Sequence, residues 1–305
     1  MYASGVELRV DGRRLVLGMQ AFDDPSLVGN FYAPHTARGA FLQAYAERMS
    51  FVEVNATFHR LPPPRVVENW AARTPAGFTF AFKVPRAITH GDAAERRAPL
   101  DRAEDELAAM LDLLRPLGPK RGPLVLQFPP AFQPTPPNRA RLGQVLAALP
   151  PAQRVAVEVR HAAWLHGDRL DELSEHGAAL VLSDVELARG TRATRDHFGY
   201  PGAFDPAPFV TAPFGYVRII GDHADPRIPR DDFSQVRIDR ARETAWWAEV
   251  LKLLLARVEP VFASVNRHFS GHAPSSLRAL AGHLGHDVLA SPAESTGAQL
   301  KLPGM

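Results

Sequence analysis

The sequence predicts an α/β fold of the (β/α)8 type, a TIM barrel in a single domain. Three observations carry this. Short apolar runs alternate with longer helical patterns eight times along the 305 residues, and parallel strands need such crossovers. From Gln20 to Asn266, the ends of the first and last runs, the repeat averages about 35 residues, the size of a βαβ unit. Finally, nearly every run ends in a polar residue of one parity, at the end where such barrels carry their sites. An open, doubly wound sheet is the alternative arrangement of the same alternation.

The elements follow in order. RLVLGMQ (Arg14–Gln20) is the first strand, and TARGAFLQAYAERM then sets Phe41, Leu42, Tyr45 and Met49 on one helical face. FVEVNATF is the second strand; PPPRVVENWAART follows, with proline at the helix start and Val66, Val67 and Trp70 facing inward. FTFAFK opens strand three, and DRAEDELAAMLDLLRPLG is its helix. PLVLQFPP and NRARLGQVLAALP make the fourth unit, RVAVEVRH and GDRLDELSEHG the fifth. AALVLSDVE is strand six. YVRIIGD is strand seven, with the long apolar-faced helix RARETAWWAEVLKLLLARV behind it. PVFASVNRH and APSSLRALAGHLG close the pattern.

Residues 186 to 215 break the rhythm with glycine and proline and little periodicity. That is expected to be a long loop, either a lid over the barrel mouth or a tolerated surface insertion. The barrel domain is expected to span residues 1–290, with a frayed tail over 291–305.

Successive strand side chains point alternately to the helices and to the barrel interior. In strand three Phe78, Phe80 and Phe82 share the face that suits helices, which turns Thr79, Ala81 and Lys83 inward. The same split recurs in the other strands, with strand six the least clean because Asp184 has the parity of Leu180 and Leu182. The resulting ring is Gln20, Glu53, Asn55, Lys83, Gln127, Glu158, Asp184, Arg218 and Asn266. One such residue means little, but a ring of buried polar groups argues for a polar ligand, because apolar filling would stabilise as well. A self-satisfied network, such as Lys83 paired with Glu158, is the structural reading of the same residues. Lys83 stands out further: the chain has four lysines and otherwise uses arginine. Lysine loses its proton when desolvated and arginine does not, which suits acid–base or Schiff-base chemistry. His90, His161 and His223 each fall just past a strand end, where a proton shuttle or a surface hydrogen bond are both ordinary roles.

Composition narrows the classes. Lys plus Arg number 35 and Asp plus Glu 33, a net charge of +2, with no basic run interleaved with aromatics; nucleic acid is not favoured as a partner. Cysteine is absent, which removes disulfides, thiolate nucleophiles and cysteine metal sites. The first 18 residues carry no apolar core of signal-peptide length, and no stretch approaches a membrane span, so a cytoplasmic protein without membrane contact is expected. There is no phosphate-binding loop, dinucleotide fingerprint or serine-hydrolase elbow. Glu53, Glu158 and Asp184 are of the type that holds Mg²⁺ or Mn²⁺, but Lys83 and Arg218 compete for them, so no metal ligands are assigned and no cofactor is specified.

The stretches FVEVNATFHRLP, FTFAFKVPRAITH, LVLQFPPAF, VAVEVRHAAW and YVRIIG, in order from about Gly18 to Gly285, resemble the Domain of Unknown Function 72 family, also called YecE-like. The resemblance implies a TIM barrel and no established reaction. It marks Glu53, Asn55, Thr57, Lys83, Thr89, His90, Gln127, Glu158, Arg160, His161, Trp164 and Arg218 as signature positions. Departures are His59 in place of tyrosine, YVRIIGDH in place of an Arg–x–His–Gly ending, and Arg267 where a second asparagine is common.

The expected function is an enzyme acting on a small polar anionic metabolite. Lys83 and Glu158 form its acid–base pair, and Arg218 grips the anion. Glu53, Asn55, His90, Gln127, Arg160, His161, Asp184 and Asn266 complete the ligand site. The alternatives are an endonuclease-like nucleic-acid barrel and a non-catalytic small-ligand binder.

Overall fold

The alternation of inward and outward residues sorts the apolar side chains into two separate cores. Val16, Phe51, Ala81, Val125, Ala156, Val181, Tyr216 and Phe262 fill the inside of a closed barrel. Leu15, Leu17, Phe80, Phe82, Leu124, Leu126, Val217 and Val265 face outward and pack with helix residues such as Leu107, Met110, Leu251 and Leu277. The computed structural model describes residues 8–184, 186–187, 191–192 and 205–287.

The barrel strands are β1 (Arg13–Met19), β2 (Phe51–Val54), β3 (Thr79–Lys83), β4 (Arg121–Gln127), β5 (Val155–Glu158), β6 (Ala179–Ser183), β7 (Gly215–Ile219) and β8 (Val261–Val265). Neighbours in sequence pair in parallel, and β8 closes onto β1, with Ser264 opposite Gly18. The (β/α)8 reading therefore holds and the open sheet does not. A short strand, Leu8–Val10, pairs antiparallel with the first half of β1, while β2 takes the second half at Gly18 and Met19. At that seam a Cβ on Gly18 would lie 2.0 Å from the Phe51 carbonyl oxygen, so only glycine lets the two strands meet.

The helices are α1 (Phe41–Ala46), α2 (Pro64–Ala72), α3 (Ala103–Leu113), α4 (Pro136–Ala148), α5 (Gly167–Glu175), α6 (Ala241–Leu255) and α7 (Ala273–His283). Their starts follow local chemistry. Proline occupies the first turn of α2, α4 and α7, where its missing N–H costs nothing. Thr135 caps α4 by accepting from the Asn138 N–H, and His272 caps α7 by accepting from Ser275. Their buried faces follow the 3.6 period: α6 turns Trp247, Leu251, Leu254 and Leu255 inward. Each large side chain so covered contributes about 1.5–3 kcal/mol. On α2, Trp70 stacks on Phe80 and Phe82 at 5.9 and 6.1 Å, fixing the phenylalanine face of β3 outward and hence Lys83 inward.

Some boundaries differ from the sequence pattern. The first helix is short because Arg38–Ala40, with Gly39 at its centre, forms a 3-10 turn instead. The second strand stops at Val54, and Ala56–Phe58 curls into a 3-10 turn. After β3, Pro85 caps a five-residue helix, Arg86–His90. Within the 186–215 segment, Glu186–Leu187 pairs with Thr191–Arg192. Thr211 rejoins the barrel, its hydroxyl accepting from Leu180 N–H (2.8 Å) and donating to the Ala178 carbonyl (2.7 Å). Residues 193–204, on which the lid expectation turns, and the 291–305 tail lie outside the described residues. No helix among the described residues is long and apolar enough to cross a membrane.

Candidate functional site

The polar ring of the sequence becomes a network on the floor of the C-terminal mouth. Its hub is Arg218, at the end of β7 and 2% exposed. Nε and Nη2 form a fork on Glu53 of β2, at 3.0 Å to Oε2 and 2.7 Å to Oε1. Nη1 donates to Glu158 Oε2 on β5. Arg160 takes the other Glu158 oxygen through Nε (2.9 Å) and donates to Gln127 Oε1 (3.1 Å). Tyr216 and Ser264 donate their hydroxyls to Glu53 Oε2 at 2.9 and 3.0 Å. The Gln20 side chain donates to Ser264 and accepts from Asn266 Nδ2 (2.8 Å), and Asn55 leans on Gln20 and Arg218 through longer contacts.

Two buried carboxylates thus meet two guanidinium groups, and all four charges are tied by charge-assisted hydrogen bonds. Burial pushes the Glu158 carboxyl up, but Arg218 and Arg160 outweigh it and hold the group down at about 2. Arg218 is desolvated too, and the two carboxylates nevertheless push its proton affinity up. Burial, then the Glu53 charge, raises the Tyr216 phenol far above its usual range.

Lys83 differs from the rest of the ring. Thr57 fixes its backbone by donating to its carbonyl (2.6 Å) and to that of Val54 (2.9 Å). Its Nζ makes no hydrogen bond or ion pair among the described residues. It rests over the Phe58 ring, 3.5 Å from the centroid. Burial, then the Arg218 charge, lowers this amine from 10.5 to about 8, against the smaller opposite pull of Glu158. Beside it, His90 packs its ring edge against Phe58 at 5.2 Å and shares a 2.9 Å hydrogen bond between Nδ1 and the Thr89 hydroxyl. Burial and the crowding cations Arg86, Lys83 and Arg160 take this imidazole down to about 4, so it is neutral at pH 7.

Above the floor lies a cavity of about 620 Å³. Its walls carry the cations Lys83, Arg86, Arg160, Arg218 and Arg267 and the acids Asp23 and Asp24. Both acids are paired, Asp24 with Arg267 at 2.9 Å and Asp23 with Arg38 at 3.5 Å. Glu53 and Glu158 sit beneath Arg218 and do not line the space. The uncompensated positive charge is therefore gathered around Lys83, Arg86 and His90. Among the described residues no three His, Asp or Glu side chains are grouped as a metal site.

Of the expected site residues, Lys83, Asn55, His90, Gln127, Arg160, Arg218 and Asn266 line one cavity. Asp184 does not. Its parity is that of Leu180 and Leu182, and it accepts the backbone N–H groups of Ile220 (2.7 Å) and Gly221 (3.0 Å), tying β6 to β7. The inward residue closing β6 is Ser183, buried and paired in register with Arg218. His161 also stays outside the cavity wall and caps its own 3-10 turn by accepting from Ala163 N–H. The site list drawn from the sequence omitted Tyr216, Ser264, Phe58 and His268. The first two share the inward parity of Arg218 and Asn266 and were legible by that rule. Phe58 reaches Lys83 only because the chain curls after Val54. His268, whose Nδ1 is 2.9 Å from Asn266 Oδ1 and whose ring lies 4.3 Å from that of His223, joins the wall through the turn after β8.

The family model described as "Protein of unknown function DUF72" matches residues 16–299. The chain belongs to the DUF72 family. The floor residues Glu53, Glu158 and Arg218 and the amine of Lys83 all fall within the DUF72 match. The protein is 32% identical over 161 residues to the UPF0759 protein YecE of Escherichia coli K12, covering 51% of this chain and 55% of YecE. It is 31% identical over 120 residues to the UPF0759 protein YunF of Bacillus subtilis 168, covering 39% and 41%. The chain thus aligns with about half the length of these curated relatives. A solved DUF72 structure from Thermotoga maritima MSB8 superposes with a TM-score of 0.71 at 21% identity, over 89% of this chain and 99% of that one. One from Enterococcus faecalis V583 gives 0.68 at 21%, over 90% and 98%. At this identity the likeness is one of fold.

Proposed function

We propose that this DUF72 protein is an enzyme that binds a small polar anionic metabolite in the C-terminal mouth and acts on it by acid–base chemistry, with Lys83 as the proton-exchanging group. The observation that carries this reading is the amine of Lys83, without a hydrogen bond or ion pair among the described residues, set in a 620 Å³ cavity with a neutral His90 and four arginines. An amine lowered to about 8 holds both protonation states near neutral pH, which is what general acid–base catalysis requires. The excess of cations over unpaired acids on the wall favours an anion.

In this reading Glu158 and Arg218 take roles other than those their residue types first suggest. Glu158, with both oxygens engaged, keeps its charge and acts on Lys83 through space rather than by trading protons. Arg218, forked on Glu53, holds the floor, and the anion is gripped by Arg86 and the unengaged face of Arg160. Gln127, Asn55 and Asn266 supply neutral polar contacts.

The test is hydrogen exchange in D₂O, followed by proton NMR, with a panel of carboxylated and phosphorylated metabolites. Wild-type protein is expected to wash out a C–H signal of at least one compound, and Lys83→Met to lose that exchange. Saturable binding without exchange by wild type would sink the enzymatic reading and leave a binding protein; the absence of both would sink the site.

A further inference from the structure

We infer that Lys83 captures its substrate covalently, as a Schiff base with the carbonyl group of an anionic oxo compound. The inference rests on the reading that the mouth binds an anion, and adds what that anion carries.

The other polar side chains that end the strands on the floor of the mouth have protein partners: Glu53 and Glu158 meet arginines, Gln127 meets Arg160, and Gln20 joins Ser264 to Asn266. Lys83 is the exception, and a lysine kept for structure would be expected to meet a carboxylate, because a desolvated ammonium is costly. Glu158 is near enough to act on it electrostatically, yet its oxygens are spent on Arg218 and Arg160. The amine is thus held apart from the acids, pinned at its backbone by Thr57, and left facing the cavity.

That arrangement suits addition to a carbonyl in two ways. An ion pair would hold the group as an ammonium, which has no lone pair, whereas an amine that is buried and crowded by Arg218 sheds its proton more readily. The product is itself a cation. The face of the Phe58 ring, 3.5 Å from Nζ, attracts a flat iminium as it attracts an ammonium. The carboxylate or phosphate of the same substrate meets Arg86 and Arg160, which set the distance between the anionic group and the carbonyl carbon.

The step balances without a further reagent. The ammonium first loses a proton, and the neutral Nζ forms a bond to the carbonyl carbon while the C–O π electrons move to oxygen. One proton from nitrogen and the one first released reach that oxygen through solvent, the C–O bond breaks, and water leaves with nitrogen keeping its last proton. Overall, ammonium plus carbonyl gives protonated Schiff base plus water, and hydrolysis reverses it.

The experiment is reductive trapping of the full chain with sodium borohydride in the presence of pyruvate or dihydroxyacetone phosphate. Intact mass and peptide mapping read the adduct, and calorimetry reads binding of the same two probes. The expected result is one reduced adduct at Lys83, lost in Lys83→Arg, which keeps the charge and cannot form the bond, with Lys120 and Lys252 unlabelled in the same sample. Binding of either probe with no adduct at Lys83 overturns the inference and leaves the anion site standing. Equal labelling of Lys120 and Lys252 overturns it as unselective. Neither binding nor adduct overturns the inference and the anion site together.

Discussion

Arg218 and Glu53 meet by a fork of two parallel hydrogen bonds, Nε to Oε2 at 3.0 Å and Nη2 to Oε1 at 2.7 Å, with both residues buried. Because the third arm of the same guanidinium reaches Glu158, one side chain bridges two buried carboxylates from strands that do not adjoin its own.

Removing that side chain leaves Glu53 without a cation and Glu158 with Arg160 alone. Arg218→Met is expected to cost about 3–5 kcal/mol, the range for one partner lost from a buried ion pair, read as a fall in urea midpoint. Arg218→Lys is expected to recover little of it, since an ammonium cannot make the planar fork. A loss under about 1 kcal/mol would mean that water reaches the acids.

Lys83 is expected to react with an amine reagent with a midpoint at about pH 8 rather than 10.5. Glu158 pulls that midpoint upward, so Glu158→Gln shifts it further down. Phe58→Leu does likewise, because it removes the ring that favours the cation. Quantitative peptide mass spectrometry after pulse acetylation across pH checks both directions.

Acid is expected to weaken the fold through its histidines. His90, His268 and His272 are each lowered from 6.5 to about 4, burial being the main cause. The unfolded chain therefore takes up protons that the folded chain refuses between these values. The contribution is whole above 6.5, is lost as pH falls through the window, and falls no further below 4. His90→Gln is expected to show a shallower decline between about pH 7 and about pH 4.5 in urea unfolding.

Gly18→Ala drives a methyl into the Phe51 carbonyl at 2.0 Å. Parting β1 from β2 there is expected to cost about 1–3 kcal/mol, visible as a lower Tm. The same change at Gly12, where a Cβ meets nothing but φ is +78°, is expected to cost less because only the backbone is strained.

Much of this architecture was legible in the residues, and the reason is parity. The face shared by Phe78, Phe80 and Phe82 needed a helix to cover it, and Trp70 covers it, so the inward aim of Lys83 followed from period two alone. The same rule correctly threw doubt on Asp184, and applied without exception it would have named Ser183 and Tyr216. What alternation does not encode is partner choice. Nothing in the spacing of Glu158, Arg160 and Arg218 says that the guanidinium groups would claim both oxygens of the acid and leave Lys83 alone, because that depends on side-chain reach across the barrel. Phe58 was hidden for a different reason: a strand-like pattern, FVEVNATF, gives way after Val54 to a 3-10 turn, held by the Thr57 hydroxyl on two carbonyls.

The Arg218 hub has a mechanical side. β7 is joined through one planar group to β2 and to β5, across the bore and not along the wall, like the spokes that keep a rim from going oval. The mouth above it is a fixed gauge, with a floor set by ion pairs within the protein itself.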